Sequence, residues 1–378
     1  MIAAATVALS AISTAAIASA RSSAPLWPYA SPDSAPVLAA VGDIGCEPNT
    51  PENASTPTGL KCGGESIGGF DAEYATASQV EAMRPNLVAI LGDLQYQVGK
   101  LSGFQNSYDK TFGAFKFLQR PAPGNHEYYA YTKHGDNEAA QNGLGYFSYF
   151  NGTDADGVVR PAGQAGTYNQ GWYSYDLGNW HIISLNIECN SGAFNHSCDP
   201  SSGVLGQETS WLAADLNANH SRCTLAYWHQ PTFTATGDSG SVPYTAFAST
   251  EGGAADTWWK LLYQHGTDVI LNGHEHVYAR FQPLAPDGRV DAEKGITQFT
   301  VGTGGEDLDT LQTGPALQAE HVVTGEDNAY GALKLTLGHD GYRWDFTPAF
   351  AAAGQDPSVL RYSDSGTGRC HGSPGGRE

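Results

Sequence analysis

Short apolar runs closed by a glycine and a polar residue recur along this chain, and they predict its strands. Val37-Leu38-Ala39-Ala40-Val41 and Leu87-Val88-Ala89-Ile90-Leu91 are continuously apolar, without the alternation of a strand that keeps one face in water. A strand buried on both faces is the expected structure of each. Between them Ala72, Ala75, Thr76, Val80 and Met83 fall at helical spacing after the N-cap candidate Asp71, and Pro85 stops the helix. Strand, helix and strand in that order predict a right-handed parallel crossover, which sets the carboxyl ends of the two strands side by side.

The rest of the chain is read the same way. Residues 46–70 are rich in Gly, Pro, Thr and Asn and form a long loop. Residues 104–120 read as a helix giving way to an extended segment, and Pro121-Ala122-Pro123 holds the chain straight. Over 128–175 Tyr, Gly and Asn dominate without a helical period, so loops and short edge strands that wall a cleft are expected. The run 180–187 and the run 223–228 read as strands, separated by a helix whose shared face is Leu205, Thr209, Leu212 and Leu216. A further helix around 258–264 ends at Gly266, and Asp268-Val269-Ile270-Leu271 begins another strand. Residues 296–301, 332–337 and 342–346 are β-rich, and the Gly-rich stretch from Ser363 is expected to be loose. No internal repeat and no second domain emerge.

Five of these runs deliver oxygen or nitrogen donors in the residues that follow: Gly42-Asp43-Ile44-Gly45, Gly92-Asp93-Leu94-Gln95-Tyr96, Gly124-Asn125-His126-Glu127, Ala226-Tyr227-Trp228-His229 and Gly273-His274-Glu275-His276. A lone His or Asp in a loop usually caps a helix or faces solvent. Five donor-bearing loops after five strand-like runs argue against coincidence. Asp43, Asp93, Tyr96, Asn125, His229, His274 and His276 include no thiolate, which suits Fe, Mn or Zn better than Cu(I) or an iron-sulfur cluster. Seven donors overfill one tetrahedral site, whereas two sites sharing one Asp leave room for water or substrate.

Composition narrows the partners. Asp and Glu number 39 against 19 Lys and Arg, with a pI near 4.8, which argues against a nucleic-acid-binding or anionic-membrane surface. A phosphate-bearing substrate needs a local positive centre, and metal ions supply one where side chains do not. Residues 2–20 are small and apolar, with Ala18-Ser19-Ala20 as a cleavage site, although no Lys or Arg precedes Arg21. The run is too rich in Ala, Ser and Thr to read as a membrane span. The expected division is a signal peptide over 1–20, a linker over 21–36, one domain over 37–362 and a flexible tail over 363–378. Export to an extracellular or periplasmic compartment makes disulfides the expected state of the six cysteines. Local spacing favours Cys46 with Cys62 and Cys189 with Cys198, leaving Cys223 for Cys370.

In combination and order, GDIG, GDLQY, GNHE, AYWH and GHEH resemble the five motif blocks of the purple acid phosphatases within the calcineurin-like metallophosphoesterases, from Asp43 to His276. Ala226 stands where that family usually has Val. Gly45 stands where the wider superfamily places a ligating His, and Tyr96 takes its part, which implies the purple subgroup rather than nucleotidases or cyclic-nucleotide diesterases. The resemblance implies an α/β (α+β) fold, a four-layer β-sandwich of two mixed sheets flanked by α-helices. It leaves no room for the extra N-terminal β-domain of the plant enzymes, since only about 20 residues separate the expected cleavage point from Asp43.

Carried over by residue, it implies one ion held by Asp43, Asp93, Tyr96 and His276 and another by Asp93, Asn125, His229 and His274. Two carboxylates and a phenolate suit Fe(III) in the first set; one shared carboxylate and neutral groups suit a divalent ion, Fe, Zn or Mn, in the second. The implied reaction is hydrolysis of a small phosphate monoester by a metal-bound hydroxide attacking in line. Asn125 and His126 are the expected substrate-binding residues, with His126 also the catalytic candidate for protonating the leaving group and Glu127 its possible orienter. A phosphodiesterase or nucleotidase using the same centre is the alternative, and a non-catalytic phosphate-binding protein comes last. Gly302-Thr303-Gly304-Gly305 is read as a turn rather than a phosphate cradle, and Glu306, Asp307 and Asp309 as a solvated acidic loop.

Overall fold

The computed structural model describes residues 35–46, 71–96, 98–128, 142–189, 198–236 and 253–372. In chain order the first half comprises β1 (Val37–Val41), β2 (Gly45–Cys46), α1 (Asp71–Met83), β3 (Leu87–Leu91), β4 (Gln95–Tyr96), α2 (Leu101–Asn106), β5 (Gln119–Ala122), α3 (Leu144–Asn151), β6 (Ala162–Gly163), β7 (Gly166–Thr167), β8 (Tyr173–Leu177) and β9 (Trp180–Ser184). There follow α4 (Gly203–Ala218), β10 (Cys223–Tyr227), α5 (Ala254–Gln264), β11 (Val269–Asn272), β12 (Tyr278–Phe281), β13 (Thr297–Val301), α6 (Pro315–Ala319), β14 (Val322–Glu326), β15 (Ala329–Leu337), β16 (Gly341–Ala351) and β17 (Asp364–Arg369).

Two mixed sheets carry the architecture. One has six strands in the order β17-β16-β15-β1-β3-β5, and the other seven in the order β14-β12-β13-β11-β10-β9-β8. In the first, parallel β1-β3-β5 form one side and antiparallel β15-β16-β17 the other; in the second, a parallel centre β9-β10-β11-β13 is bordered by antiparallel β8 and β12. Leu38 and Ala40 of β1 face the sandwich interior, where Leu225, Tyr227, Leu271 and Phe299 of the second sheet meet them. Ala39 and Val41 turn outward and pack with Ala77 and Val80 of α1. On the far side, Ala226 and Ile270 pack with Leu212 of α4 and Trp258 and Leu262 of α5. Each central strand is therefore covered on both faces, which is why these runs are apolar throughout instead of alternating. The result is the expected four-layer sandwich.

Parallel pairing positions the donors. Leu38 pairs with Leu87 and Val41 with Ile90, so the chain leaves β1 and β3 at the same level and carries Asp43 and Asp93 out together. In the second sheet β10 and β11 run parallel, with Tyr227 opposite Leu271, and their carboxyl ends lead to His229 and to His274 and His276.

Three segments differ from expectation. Within 128–175 the chain forms α3, whose Tyr146, Phe147, Tyr149 and Phe150 are all buried. A helix buried nearly all round has no amphipathic period to detect. The segment 104–120 holds α2 and two 3-10 stretches, Tyr108–Lys110 and Phe112–Leu118, in place of one helix. Most clearly, the residues after Ser363 do not run as a loose tail: β17 is an edge strand paired with β16. Its glycines serve packing, since a Cβ on Gly366 would lie 2.3 Å from the Trp344 ring. Disulfides join Cys189 to Cys198 and Cys223 to Cys370. Cys62, residues 1–34 and residues 373–378 lie outside the described residues, and with them the Cys46–Cys62 pairing, the signal peptide and most of the linker. Among the described residues no helix is long and apolar enough to cross a membrane.

Candidate metal centre

The donor loops share an uncommon backbone. Asp43, Asp93 and His274 have φ of 57°, 46° and 71°, the left-handed region that residues with a Cβ seldom occupy. The turns are held by contacts between loops. Asp43 accepts the His274 N–H on Oδ2 at 2.9 Å, and Asp93 accepts the His126 N–H on Oδ1 at 2.8 Å. The backbone N–H groups of Asp43 and Ile44 donate to the carbonyls of Gly92 and Asp93. Gly124 is required by proximity alone: a Cβ there would lie 2.2 Å from Asp93 Oδ1.

All seven expected donors come together. The Tyr96 hydroxyl lies 2.8 Å from Asp43 Oδ1, 3.0 Å from Asp93 Oδ2 and 3.1 Å from His276 Nε2. On the other side of Asp93, its Oδ2 lies 3.0 Å from His229 Nε2. Asn125 Oδ1 is 3.1 Å from both His229 Nε2 and His274 Nδ1. Donor atoms of Asp93, His229 and His274 all fall within 4.8 Å of one another.

The ring orientations test whether this set suits cations. His229 Nδ1 meets the Leu91 carbonyl at 2.8 Å and His276 Nδ1 meets the Asp307 carbonyl at 2.7 Å. A carbonyl only accepts, so both Nδ1 atoms carry hydrogen and both Nε2 atoms face the cluster. There they confront carboxylate and amide oxygens, which are acceptors too. Such a cluster needs positive charge between its members. Burial works to strip His229 of a proton, yet Asp93 beside it holds the ring up at about 10. Burial and the neighbouring His229 push His274 down to about 3. For Asp93 burial is outweighed by His229 and His126, which hold it well below the usual carboxylate range. Burial, with Asp43 and Asp93 alongside, pushes the Tyr96 phenol well above its ordinary value. Only a strong cation would ionise it. Oxygen and imidazole donors around a shared carboxylate, short of positive charge, fit a pair of metal ions.

His126 sits at the rim, 15% exposed at the side chain, with Nε2 3.8 Å from Asp93 Oδ2 and its ring 4.1 Å from that of Tyr96. Glu127, the possible orienter, spends its carboxylate on the backbone instead. It is fully buried, and its oxygens accept from the backbone of Leu94 at 3.0 Å, Gln95 at 3.3 Å and Gly124 at 2.8 Å. It ties the Asp93 loop to the Asn125 loop.

Other contributors escaped the sequence. The acidic stretch is not simply solvated: Glu306 is 3% exposed and Asp309 Oδ2 accepts the His276 N–H at 2.9 Å. Glu275, between the two histidines, is buried and accepts from Ala235 N at 2.9 Å and Thr236 Oγ1 at 2.7 Å, fastening the loop beyond His229. Carbonyls of Leu91 and Asp307 leave no trace in side-chain identity, but a Gly-rich turn followed by three acids was a usable sign. The glycine run is pinned by distant segments, Gly302 and Gly304 donating to the Val277 and Gly42 carbonyls.

Comparison with known proteins places these features in company. The family model described as calcineurin-like phosphoesterase matches residues 37–278. An uncharacterized protein of Mycobacterium tuberculosis is 25% identical over 252 residues, covering 60% of this chain and 43% of that protein. Purple acid phosphatase 15 of Arabidopsis thaliana is 26% identical over 221 residues, covering 55% of this chain and 35% of that one. The chain thus spans less than half the length of either relative. The structure of purple acid phosphatase PPD1 from yellow lupin (Lupinus luteus) seeds superposes with a TM-score of 0.57 at 15% identity, over 88% of this chain and 53% of that one. At that identity the likeness speaks for the fold.

Proposed function

Because the chain belongs to the calcineurin-like phosphoesterase family, we propose that it is a secreted binuclear-metal phosphatase of the purple acid type, acting on small phosphate monoesters. The observation that carries this reading is the Tyr96 hydroxyl, buried among Asp43, Asp93 and His276. Asp43, Asp93, Tyr96 and His276 would hold Fe(III), and Asp93, Asn125, His229 and His274 a divalent ion, Fe, Zn or Mn. The Asp307 carbonyl keeps the His276 lone pair directed inward, and the Leu91 carbonyl does the same for His229. When bound, the ions supply Lewis acidity, an acidified water and charge neutralisation for the phosphoryl oxygens.

The chain's own residues do the rest. Among the described residues, the ion pairs of Asp43 and Asp93 are all with histidines. His126, at the rim with its backbone fixed on Asp93, would bind a phosphoryl oxygen and hand a proton to the leaving alcohol. Asn125 has its amide oxygen turned toward the two histidines. Two disulfides among the described residues support an oxidising compartment.

The test is metal analysis of the isolated protein, its visible spectrum, and rates on p-nitrophenyl phosphate, its bis ester and nucleotides. About two ions per chain, a visible charge-transfer band and preference for the simple monoester are expected. A fully metallated, colourless protein without iron sinks the assignment to the purple type. Faster turnover of the bis ester or of nucleotides moves the activity to a diesterase or nucleotidase.

A further inference from the structure

Beside the half of the centre formed by Asn125, His229 and His274 lies a buried carboxylate with no role so far. Glu188, in the segment after β9, is 2% exposed. Its backbone N–H donates to Asn186 Oδ1 at 3.1 Å. Asn186 is anchored in turn, donating from its backbone to Glu208 Oε1 at 2.7 Å and from its amide to the Tyr128 hydroxyl at 2.9 Å. The following residue, Cys189, is disulfide-bonded to Cys198. The backbone is therefore fixed on both sides of Glu188.

Gln230 links this carboxylate to the donors. Its side chain hydrogen-bonds Glu188, and its amide nitrogen lies 3.5 Å from Asn125 Oδ1. Even so, Glu188 Oε1 and Gln230 Oε1 have no hydrogen-bond partner among the described residues, although both side chains are buried. Two buried acceptors without donors are costly, and such groups are normally satisfied by something. The charges that act on Glu188 are His229 and Asp93. Gln230, next in the chain to His229, reaches Asn125, so the pair adjoins donors of that half rather than Tyr96. What fits two acceptors at that place is a donor with positive charge behind it.

We infer that Glu188, with Gln230, is an outer anchor of the divalent ion, accepting hydrogen bonds from the water this ion keeps. The inference rests on the binuclear reading above. Glu188 is a positioning residue: it touches none of the reacting atoms, and it acts on one ion and not the other.

The test titrates Mn(II) into iron-loaded protein freed of its divalent ion, with unbound Mn(II) followed by its EPR signal. Glu188→Gln keeps the shape and replaces one acceptor oxygen by an amide donor; it is expected to weaken Mn(II) binding about 10-fold or more, with iron content and visible band unchanged. Gln230→Met, which cuts the link to Asn125, is expected to act in the same direction and carries the test if the first variant does not fold. Mn(II) affinity within about twofold of wild type in these variants overturns the inference while leaving the binuclear reading intact. Parallel loss of iron and manganese also overturns it, by marking a merely structural role. A wild-type protein that takes up only one ion per chain brings down both readings.

Discussion

Tyr96 and His126 lie side by side at the centre, their rings 4.1 Å apart and tilted by 46°, yet their replacement should have different effects. Tyr96→Phe removes the phenol that lies between Asp43 and His276, and is expected to bleach the visible band whether or not hydrolysis survives, as read by absorption of the iron-loaded protein. His126→Ala removes a rim group that holds no ion, so turnover should fall about 100-fold or more with both metals retained by elemental analysis. Unchanged turnover would reject the role of His126. Most of the donors were legible in sequence because they follow an apolar strand and a small residue or turn. Their supports were not. Leu91 and Asp307 act through backbone carbonyls, and Glu127 reads the same in sequence whether it lies in water or accepts three backbone N–H groups in the interior.

Between elements, Glu127 is the strut that joins the loop after β3 to the loop after β5. Glu127→Ala leaves three buried N–H groups without an acceptor, at a cost of about 1–3 kcal/mol for each unsatisfied group, and thermal unfolding should show a lower Tm together with weaker metal retention. At the other end of the sandwich, the Cys223–Cys370 disulfide fastens the start of β10 to the residue after β17. Cys223→Ser with Cys370→Ser is expected to lower stability by about 2–5 kcal/mol. Activity of the folded fraction should persist, because His229 leaves the opposite end of β10. The central parallel strands and the helix after Asp71 were readable from periodicity. The helix α3 was not, because its aromatic residues are buried on nearly every side, and β17 was hidden because Gly366 lies under Trp344 instead of in a loose tail.

For the molecule as a whole, buried titratable groups outside the donor set tilt stability toward acid. Burial raises Glu73 from 4.5 to about 7, with Thr111 as its hydroxyl partner opposing the shift. His181 is also raised: burial works against it, but Asp215 and Asp176 at 2.7 and 3.0 Å hold its proton. In both cases the folded value lies above the unfolded one. The associated stability is complete below the unfolded value, about 4.5 for Glu73 and 6.5 for His181, and is lost as pH rises through the folded value. Thermal melts should show a protein more stable near pH 5 than near pH 8. Glu73→Gln should flatten that slope by on the order of 3 kcal/mol; an unchanged slope would show that Glu73 loses its proton freely in the fold. The acidic bias of this architecture was not legible, since net charge of −20 says nothing of which carboxylates are buried. One last consequence concerns time. Asp43 and Asp93 each commit one oxygen to a backbone N–H of another loop, so the donor cage is built by the fold itself. Ion capture should then be a simple bimolecular encounter rather than a folding event. In stopped-flow mixing of metal-free protein with iron, the rate of colour formation should scale with ion concentration while far-UV circular dichroism stays flat. A slow phase independent of concentration would mean the cage assembles only after the ion arrives.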